Sequence, residues 1–266
     1  MPLITTEVSD QIAIIRFNAP AALNAISVPM VEELRSALDD CAGKVRALVL
    51  TGEGRAFCSG AALGGDRLNG SAVGDFDGGA ALESHYNPLM LALRDLPMPF
   101  VTAVHGPAAG IGCSLALMGD LIVADSTAYF LQAFRNIGLV PDGGSAFLLA
   151  SAAGRARAME AMLLGERISA ADAFSWGMVN RLAPEGKDVE MATELAKKLA
   201  AGPAATLSLI RKLAWGALEK SFSEQLAAER ASQKIAAQTA EFREGVSAFL
   251  EKRKARFDTI QADRKG

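Results

Sequence analysis

Residues 101–125, VTAVHGPAAGIGCSLALMGDLIVAD, are the stretch that decides the fold. The segment begins as an apolar strand, passes through a turn of small residues, and continues as a helix whose first turn is almost bare backbone. Gly106, Gly110 and Gly112 place no side chain above their peptide groups. The first N–H groups of a helix lack partners within it and carry the positive end of its dipole. The segment therefore predicts a site for a developing oxyanion; the alternative is that glycine only permits close packing.

A second segment, RALVLTGEGRAFCSGAAL at residues 46–63, has the same character. Its apolar strand at 47–51 ends in glycines, and small residues again expose the main chain at 57–61. Backbone that is exposed directly after a strand is available to a ligand. Two such segments in one chain favour a binding site built from peptide groups.

Together these segments resemble the crotonase family, the enoyl-CoA hydratases and isomerases. The resemblance extends from FNAPAALNAIS at 17–27, through FLQAFRNIGLVPDGG at 130–144, to EGVSAFLEKRKARF at 244–257. It implies an α/β fold, a crotonase-type spiral of strand-strand-helix units with a C-terminal helical oligomerisation region. It also implies a catalytic core at 1–195 and a trimerisation region at 196–266, so that the chain forms a homotrimer or a hexamer made of two trimers.

The apolar periodicity agrees with that arrangement. Alternation over 4–17 predicts a hairpin, and strands are expected at 100–104 and 121–124. Helices are expected at 29–41, 145–164 and 169–177, and again from 188 onward with a break at 202–203. The loop at 64–79 is expected to be a mobile lid. One stripe on the last predicted helix is interpreted either as core packing or as a subunit interface: Phe242, Val246, Phe249, Leu250, Arg253 and Phe257.

Composition excludes several classes of function. Half of the 266 residues are hydrophobic and the formal charge is −3, so no basic block is present to neutralise nucleic-acid phosphates. No apolar run has membrane-spanning length, and the N-terminus does not have the pattern of a signal peptide. Three widely spaced cysteines match no metal-binding pattern and favour a reducing compartment. We therefore expect a cytoplasmic protein without a metal site.

The resemblance implies specific roles for main-chain groups. The N–H groups of Ala61 and Ile111 would bind the thioester oxygen of an acyl-CoA, with Gly110 beside it. Because CoA belongs to the substrate, no separate cofactor is expected. Ala62 stands where family members usually have Asp, which puts the adenine contacts in doubt. The residues expected to cradle CoA are Ala22, Leu23, Ala61 and Leu63.

Both glutamates that hydratases of this family use are replaced here. Ser114 stands just after the Gly-Ile-Gly stretch, and Phe134 stands shortly before the Ile-Gly pair at 137–138. An unassisted hydroxyl is a poor acid and a poor base, and a phenyl ring is neither. Both side chains are expected to shape the acyl pocket instead.

A carboxylate appears in the segment GLVPDGG, as Asp142. The resemblance implies that an acidic residue in this place shuttles a proton from the α-carbon to the γ-carbon. The segment 130–144 most resembles the phenylacetate-degradation isomerases, which act on a ring-epoxide CoA thioester. The alternative is that Asp142 caps the following helix, a common role for Asp.

The sequence thus predicts an acyl-CoA enzyme that shifts a double bond. Two alternatives stay open: a hydratase with a relocated base, and a CoA-thioester-binding protein without catalysis. His85 is expected at the surface and His105 in a structural hydrogen bond. Cys58 and Cys113 are interpreted as small apolar filler.

Overall fold

The computed structural model describes residues 1–62 and 77–260. A six-stranded sheet lies at its centre, in the order β1-β2-β3-β4-β6-β9. The first two strands form the predicted antiparallel hairpin, and every other neighbouring pair is parallel. The strands are β1 (Ile4–Ser9), β2 (Ile12–Phe17), β3 (Ala47–Gly52), β4 (Phe100–Val104), β5 (Pro107–Ala109), β6 (Leu121–Asp125), β7 (Tyr129–Leu131), β8 (Arg167–Ser169) and β9 (Arg181–Ala183).

A second sheet of three short strands, β5-β7-β8, stands beside the first. The run of small residues predicts only a turn at the position of β5. Instead β5 runs parallel to β7, and single bridges join Cys58 to Ala108 and Ile26 to Ala61. Small residues allow these backbones to approach each other closely. From β4 to β7, successive strands alternate between the two sheets, because β4 and β6 belong to the first sheet and β5 and β7 to the second.

Helices cover the sheets at the positions that periodicity predicts. The cap of α1 is Ser27, whose side chain accepts a hydrogen bond from the amide of Met30. Helix α2 is preceded by a π-helical turn, Leu82–Tyr86, and α4 is kinked at Gly154. The helices are α1 (Val28–Cys41), α2 (Asn87–Arg94), α3 (Ile111–Leu117), α4 (Ser145–Leu164), α5 (Ala170–Ser175), α6 (Asp188–Ala200), α7 (Ala204–Ala217), α8 (Phe222–Ala236) and α9 (Ala240–Leu250).

The core has two parts, one on each face of the main sheet. The larger part contains buried aromatic and branched side chains, among them Phe17, Phe57 and Phe100. The smaller part packs the alanines of α6 against the valines of β3, β4 and β6. Alanine brings that helix close to the sheet, and burial of this apolar surface is the main stabilising term. The bulky part lies on the side where α3 and α4 meet.

Only part of the apolar stripe that the sequence predicts near the C-terminus lies on a helix. Helix α9 ends at Leu250, so Arg253 and Phe257 lie beyond it, contrary to the expectation of one continuous helical stripe. The ring of Phe257 still packs beside Gly245. The predicted boundary at 195/196 falls inside α6, and the division into core and trimerisation region stays a prediction.

Candidate active site

Two backbone turns from distant parts of the chain meet at the candidate site. A Cβ added to Gly60 would lie 3.0 Å from the carbonyl oxygen of Ala109 and 3.9 Å from Cα of Gly110. A Cβ added to Gly112 would collide with the carbonyl oxygen of Cys58. The two glycine-rich segments of the sequence are therefore packed backbone to backbone, and glycine is required for that contact.

This packing leaves the main-chain N–H groups of Ala61 and Ile111 without acceptors among the described residues. In the bridge to Ile26, the hydrogen bonds use the carbonyl of Gly60 and the amide of Ala62, so the amide of Ala61 points the other way. Ile111 is the first residue of α3, where an amide has no partner within the helix. Within residues 1–62 and 77–260, no atom accepts a hydrogen bond from either amide.

Asp142 begins a tight turn next to Ile111. The amide of Ser145 donates to its carbonyl oxygen at 3.0 Å, and the two residues between have φ of 57° and 77°. Glycine adopts these left-handed values readily, as Gly143 and Gly144 do here. A Cβ on Gly143 would lie 3.0 Å from Cγ1 of Ile111, so the turn packs directly on the start of α3.

The carboxyl of Asp142 is partly buried and free of hydrogen bonds at one oxygen. Oδ1 is inaccessible to solvent and has no partner among the described residues. Burial raises the pKa of Asp142 from 3.8 to about 6. The side chain does not cap α4, because the cap residue is Gly144 and no side chain bonds there. The alternative role as a helix cap is therefore wrong.

Phe134 and Ser114 border the same place. The Phe134 ring approaches Gly110, with Cζ 3.8 Å from the position of an added Cβ. Ser114 is fully buried, and its hydroxyl lies 3.2 Å from the carbonyl oxygen of Asp142. Neither side chain could serve as a base. Their predicted role in shaping an acyl pocket stays a prediction.

Comparison with known proteins gives the family. A model of the Enoyl-CoA hydratase/isomerase family matches residues 7–260. The chain belongs to this family. It is 40% identical over 254 residues to a Rhodobacter capsulatus protein named "Probable enoyl-CoA hydratase", covering 96% of this chain and 97% of that one. It is 38% identical over 263 residues to the 1,2-epoxyphenylacetyl-CoA isomerase of Escherichia coli, covering 97% and 98%.

Solved structures agree with the fold. The crystal structure of an enoyl-CoA hydratase from Polaromonas sp. JS666 superposes with a TM-score of 0.87 at 32% identity, covering 95% of this chain and 98% of that chain. The α/β crotonase-type fold and its C-terminal helical region are thereby confirmed. Membership of this family makes the chain an enzyme of the enoyl-CoA hydratase/isomerase class, and acyl-CoA thioesters fit that family as substrates.

The segment expected to cradle CoA is a short 3-10 turn, Pro20–Ala22. Ala22 is exposed and Leu23 is half-buried, whereas Leu63 and most of the predicted lid lie outside the described residues. Sequence reasoning missed Asn24, which is buried and bonds the carbonyl oxygens of Glu53 and Ala56 at 2.9 and 2.7 Å. Its only signal was an Asn at a turn, a residue that tolerates left-handed backbone. Asn24 fixes this segment against the loop after β3.

A mostly apolar cleft of about 370 Å³ borders the glycine turn. Gly143 and Gly144 form part of its wall, and residues of α2, α4 and α7 form other parts. Its apolar lining suits a hydrocarbon group more than a charged one. The cleft is also lined by the charged side chains of Arg94 and Glu219, and its larger apolar side chains are Met90, Leu91, Met118, Phe147, Leu148 and Trp215.

The remaining reactive side chains have structural surroundings. Nδ1 of His105 lies 2.8 Å from Oδ2 of Asp188, which confirms the expected structural hydrogen bond, and His85 lies near Glu32 at the surface. Burial raises the pKa of Cys58 and of Cys113 to about 12, which agrees with their interpretation as filler. Within the described ranges no three His, Cys, Asp or Glu side chains gather as metal ligands would. None of the described helices is both long and apolar enough to cross a membrane.

Proposed function

We propose that this member of the family is an enoyl-CoA isomerase that moves a double bond from C3 to C2 of an acyl-CoA thioester. The observation that carries the proposal is the carboxyl of Asp142, which has a buried oxygen with no partner in the described part of the chain and stands on a turn packed against Ile111. Ser114 and Phe134 offer no second acid or base. One carboxyl is enough for a 1,3-proton transfer, whereas hydration also needs a group that activates water.

The proposed reaction begins with binding of the thioester oxygen by the amides of Ala61 and Ile111. As the C2–H bond breaks, Asp142 takes the proton and the two amides stabilise the charge that develops on the oxygen. The protonated carboxyl then returns the proton to C4, and the double bond ends between C2 and C3. Nothing is added or lost, so the reaction needs no cofactor beyond the CoA of the substrate. A carboxyl with a pKa near 6 can both accept and donate near neutral pH.

The rest of the substrate would occupy the surroundings of these groups. We propose that Ala22 and Leu23, together with Leu63, contact CoA. The acyl chain would pass Gly110, Ser114 and Phe134 and extend towards the apolar cleft of about 370 Å³. The support for this course is the position of the cleft, which begins at the glycines that directly follow Asp142.

Product analysis tests the proposal. The purified chain is incubated separately with a 3-enoyl-CoA and a 2-enoyl-CoA, and the products are identified by chromatography and mass spectrometry. We expect 3-enoyl-CoA to become 2-enoyl-CoA with no change in mass. A gain of one water would instead indicate a hydratase with a relocated base. Tight binding of both thioesters without conversion would indicate a binding protein.

A ring-epoxide CoA thioester is the second candidate substrate. It is favoured by the 38% identity over nearly the whole chain to a protein named 1,2-epoxyphenylacetyl-CoA isomerase. The same two amides would serve, because that substrate is also a CoA thioester. Parallel kcat/KM measurements on the ring epoxide and on linear 3-enoyl-CoAs decide which substrate is preferred.

We also propose that the chain assembles as a homotrimer or as two paired trimers through its C-terminal helices. The support is a set of exposed apolar side chains on α9, where Phe249 and Leu250 are 82% and 73% exposed. Such patches often mark interfaces. Light scattering on the purified chain should give three or six times the chain mass of 27.8 kDa; the mass of a single chain would contradict assembly.

A further inference from the structure

Two buried serines meet the turn that carries Asp142. Oγ of Ser145 lies 2.9 Å from the main-chain carbonyl oxygen of Asp142, and Oγ of Ser114 lies 3.2 Å from the same atom. The two hydroxyl oxygens are 2.6 Å apart. Ser114 belongs to α3 and Ser145 to α4, so this cluster ties the turn to both helices.

The two hydroxyl protons must serve three short contacts. Either Ser145 donates to the carbonyl and Ser114 donates to Ser145, or the two roles are exchanged. In both arrangements the carbonyl of Asp142 receives one hydroxyl hydrogen bond besides the amide of Ser145. The serines are only 0% and 1% exposed, so water cannot replace a lost partner. The cluster therefore restrains the main chain of Asp142.

We propose that Ser114 and Ser145 are positioning residues for Asp142, which hold its main chain so that its carboxyl faces the reacting carbons. This inference rests on the proposed isomerase function. Both hydroxyls lie within hydrogen-bond distance of the carbonyl oxygen of Asp142 and one of them donates to it, whereas Oδ1 of the carboxyl has no bond to any described residue. The main chain of the residue is thus restrained without any hydrogen bond from the serines to its carboxyl.

The serine hydroxyls contact the main-chain carbonyl oxygen of Asp142 and not its carboxylate, which matters for its acidity. A hydrogen bond to the carboxylate would favour its ionised form and make it a weaker base. No such bond is formed with the described residues, and burial is what raises the pKa of Asp142 to about 6. Holding the residue by its main chain therefore keeps the carboxyl buried without adding a hydrogen bond that would weaken it as a base.

Replacement of the two hydroxyls tests the inference. In Ser114→Ala or Ser145→Ala one hydroxyl can still reach the carbonyl, so we expect kcat to fall only a few-fold. In the double variant neither remains, and we expect a loss of about 10- to 100-fold in kcat, larger than the product of the single losses, with KM within about twofold of wild type. Wild-type kcat in the double variant would overturn the inference.

Thr51→Val is the matched control for a buried hydroxyl that bonds a carbonyl. Oγ1 of Thr51 is buried and donates to the carbonyl oxygen of Ala103 at 2.9 Å, away from the turn. We expect this variant to lose stability as the serine variants do but to keep its kcat. An equal loss of kcat in the control would reduce the serines to ordinary structural residues and overturn the inference.

A titration of the Asp142 carboxyl by carbon-13 NMR needs no turnover. We expect a pKa near 6 in the wild type and a fall towards 3.8 in the double serine variant, as water reaches the loosened carboxyl. An unchanged pKa in the double variant would overturn the positioning role. A wild type that does not isomerise 3-enoyl-CoA would contradict the proposed function, and the titration would still decide the role of the serines.

Discussion

The two halves of the candidate site are built in different ways. The main-chain half consists of the amides of Ala61 and Ile111, fixed by backbone pairing and by glycines that no other residue could replace. The carboxyl half consists of one side chain, Asp142, on a turn of two left-handed glycines. The first half should therefore tolerate loss of side chains but not loss of an N–H group. The second should fail when a single carboxyl oxygen is replaced.

The largest effect is expected in the carboxyl half. Asp142→Asn keeps the size of the side chain but can neither take nor return a proton, so kcat for isomerisation should fall by about 10²–10⁴-fold. Binding of acyl-CoA, measured by calorimetry, should stay within a few-fold of wild type. Undiminished turnover in this variant would rule out Asp142 as the acid/base.

The main-chain half is tested by Ile111→Pro, with Ile111→Ala as its control. Proline removes the N–H group but is tolerated at the first position of a helix, which Ile111 occupies. Loss of one such donor should lower kcat by about 10²–10³-fold. Alanine removes more of the side chain but keeps the N–H, so its kcat should stay near that of wild type. Equal losses in both variants would show that packing, and not the amide, matters here.

The buried carboxyl of Asp142 should also lower the stability of the folded chain when it is ionised. Burial raises the pKa of Asp142 from 3.8 to about 6, so the folded chain binds this proton more tightly than the unfolded chain does. Stability is then lost as pH rises from about 4 to about 6. Asp142→Asn should be more stable than wild type above pH 6, by up to about 3 kcal/mol, with no gain near pH 4. Urea unfolding at pH 8 and at pH 4 measures the difference in stability between Asp142→Asn and wild type. The same difference at the two pH values would contradict burial of the carboxyl as the cause.

The smallest effect separates two neighbouring glycines of the turn. Both have left-handed φ, but they differ in the space around them. A Cβ added at Gly143 would lie 3.0 Å from Ile111, which is too close, whereas one added at Gly144 would lie 4.0 Å from Leu148, which is an ordinary contact. Gly144→Ala should cost about 1 kcal/mol of backbone strain. Gly143→Ala should cost more and should also lower kcat, because it pushes the turn away from α3. Identical behaviour would mean that the contact with α3 is unimportant.

The sequence predicted the parts that depend on local pattern. The hairpin, the parallel strands and α4 at Ser145–Leu164 follow from alternation and helical periodicity. The short strand Pro107–Ala109 could not be predicted, because its three small residues have no pattern until Tyr129–Leu131 pairs with them. Membership of the family was predicted from its motifs and is confirmed.

The site was predictable only where a motif carried it. The serine pair escaped notice because its members stand 31 residues apart and meet only in the folded chain. Asn24 escaped for the same reason, since it bonds a carbonyl 32 residues away. The roles of Ala61, Ile111 and Asp142 stay predictions, as do the cytoplasmic location and the trimer.

The most direct test uses deuterium to trace the hydrogen that moves from C2 to C4. A 3-enoyl-CoA carrying two deuterium atoms at C2 is converted in ordinary water in a single turnover, and the product is analysed for deuterium at C4. We predict 2-enoyl-CoA with deuterium transferred to C4 by the wild type, and no transfer by Asp142→Asn. Product whose C4 hydrogen comes wholly from solvent, or transfer that persists without the carboxyl, would contradict a proton shuttle by Asp142.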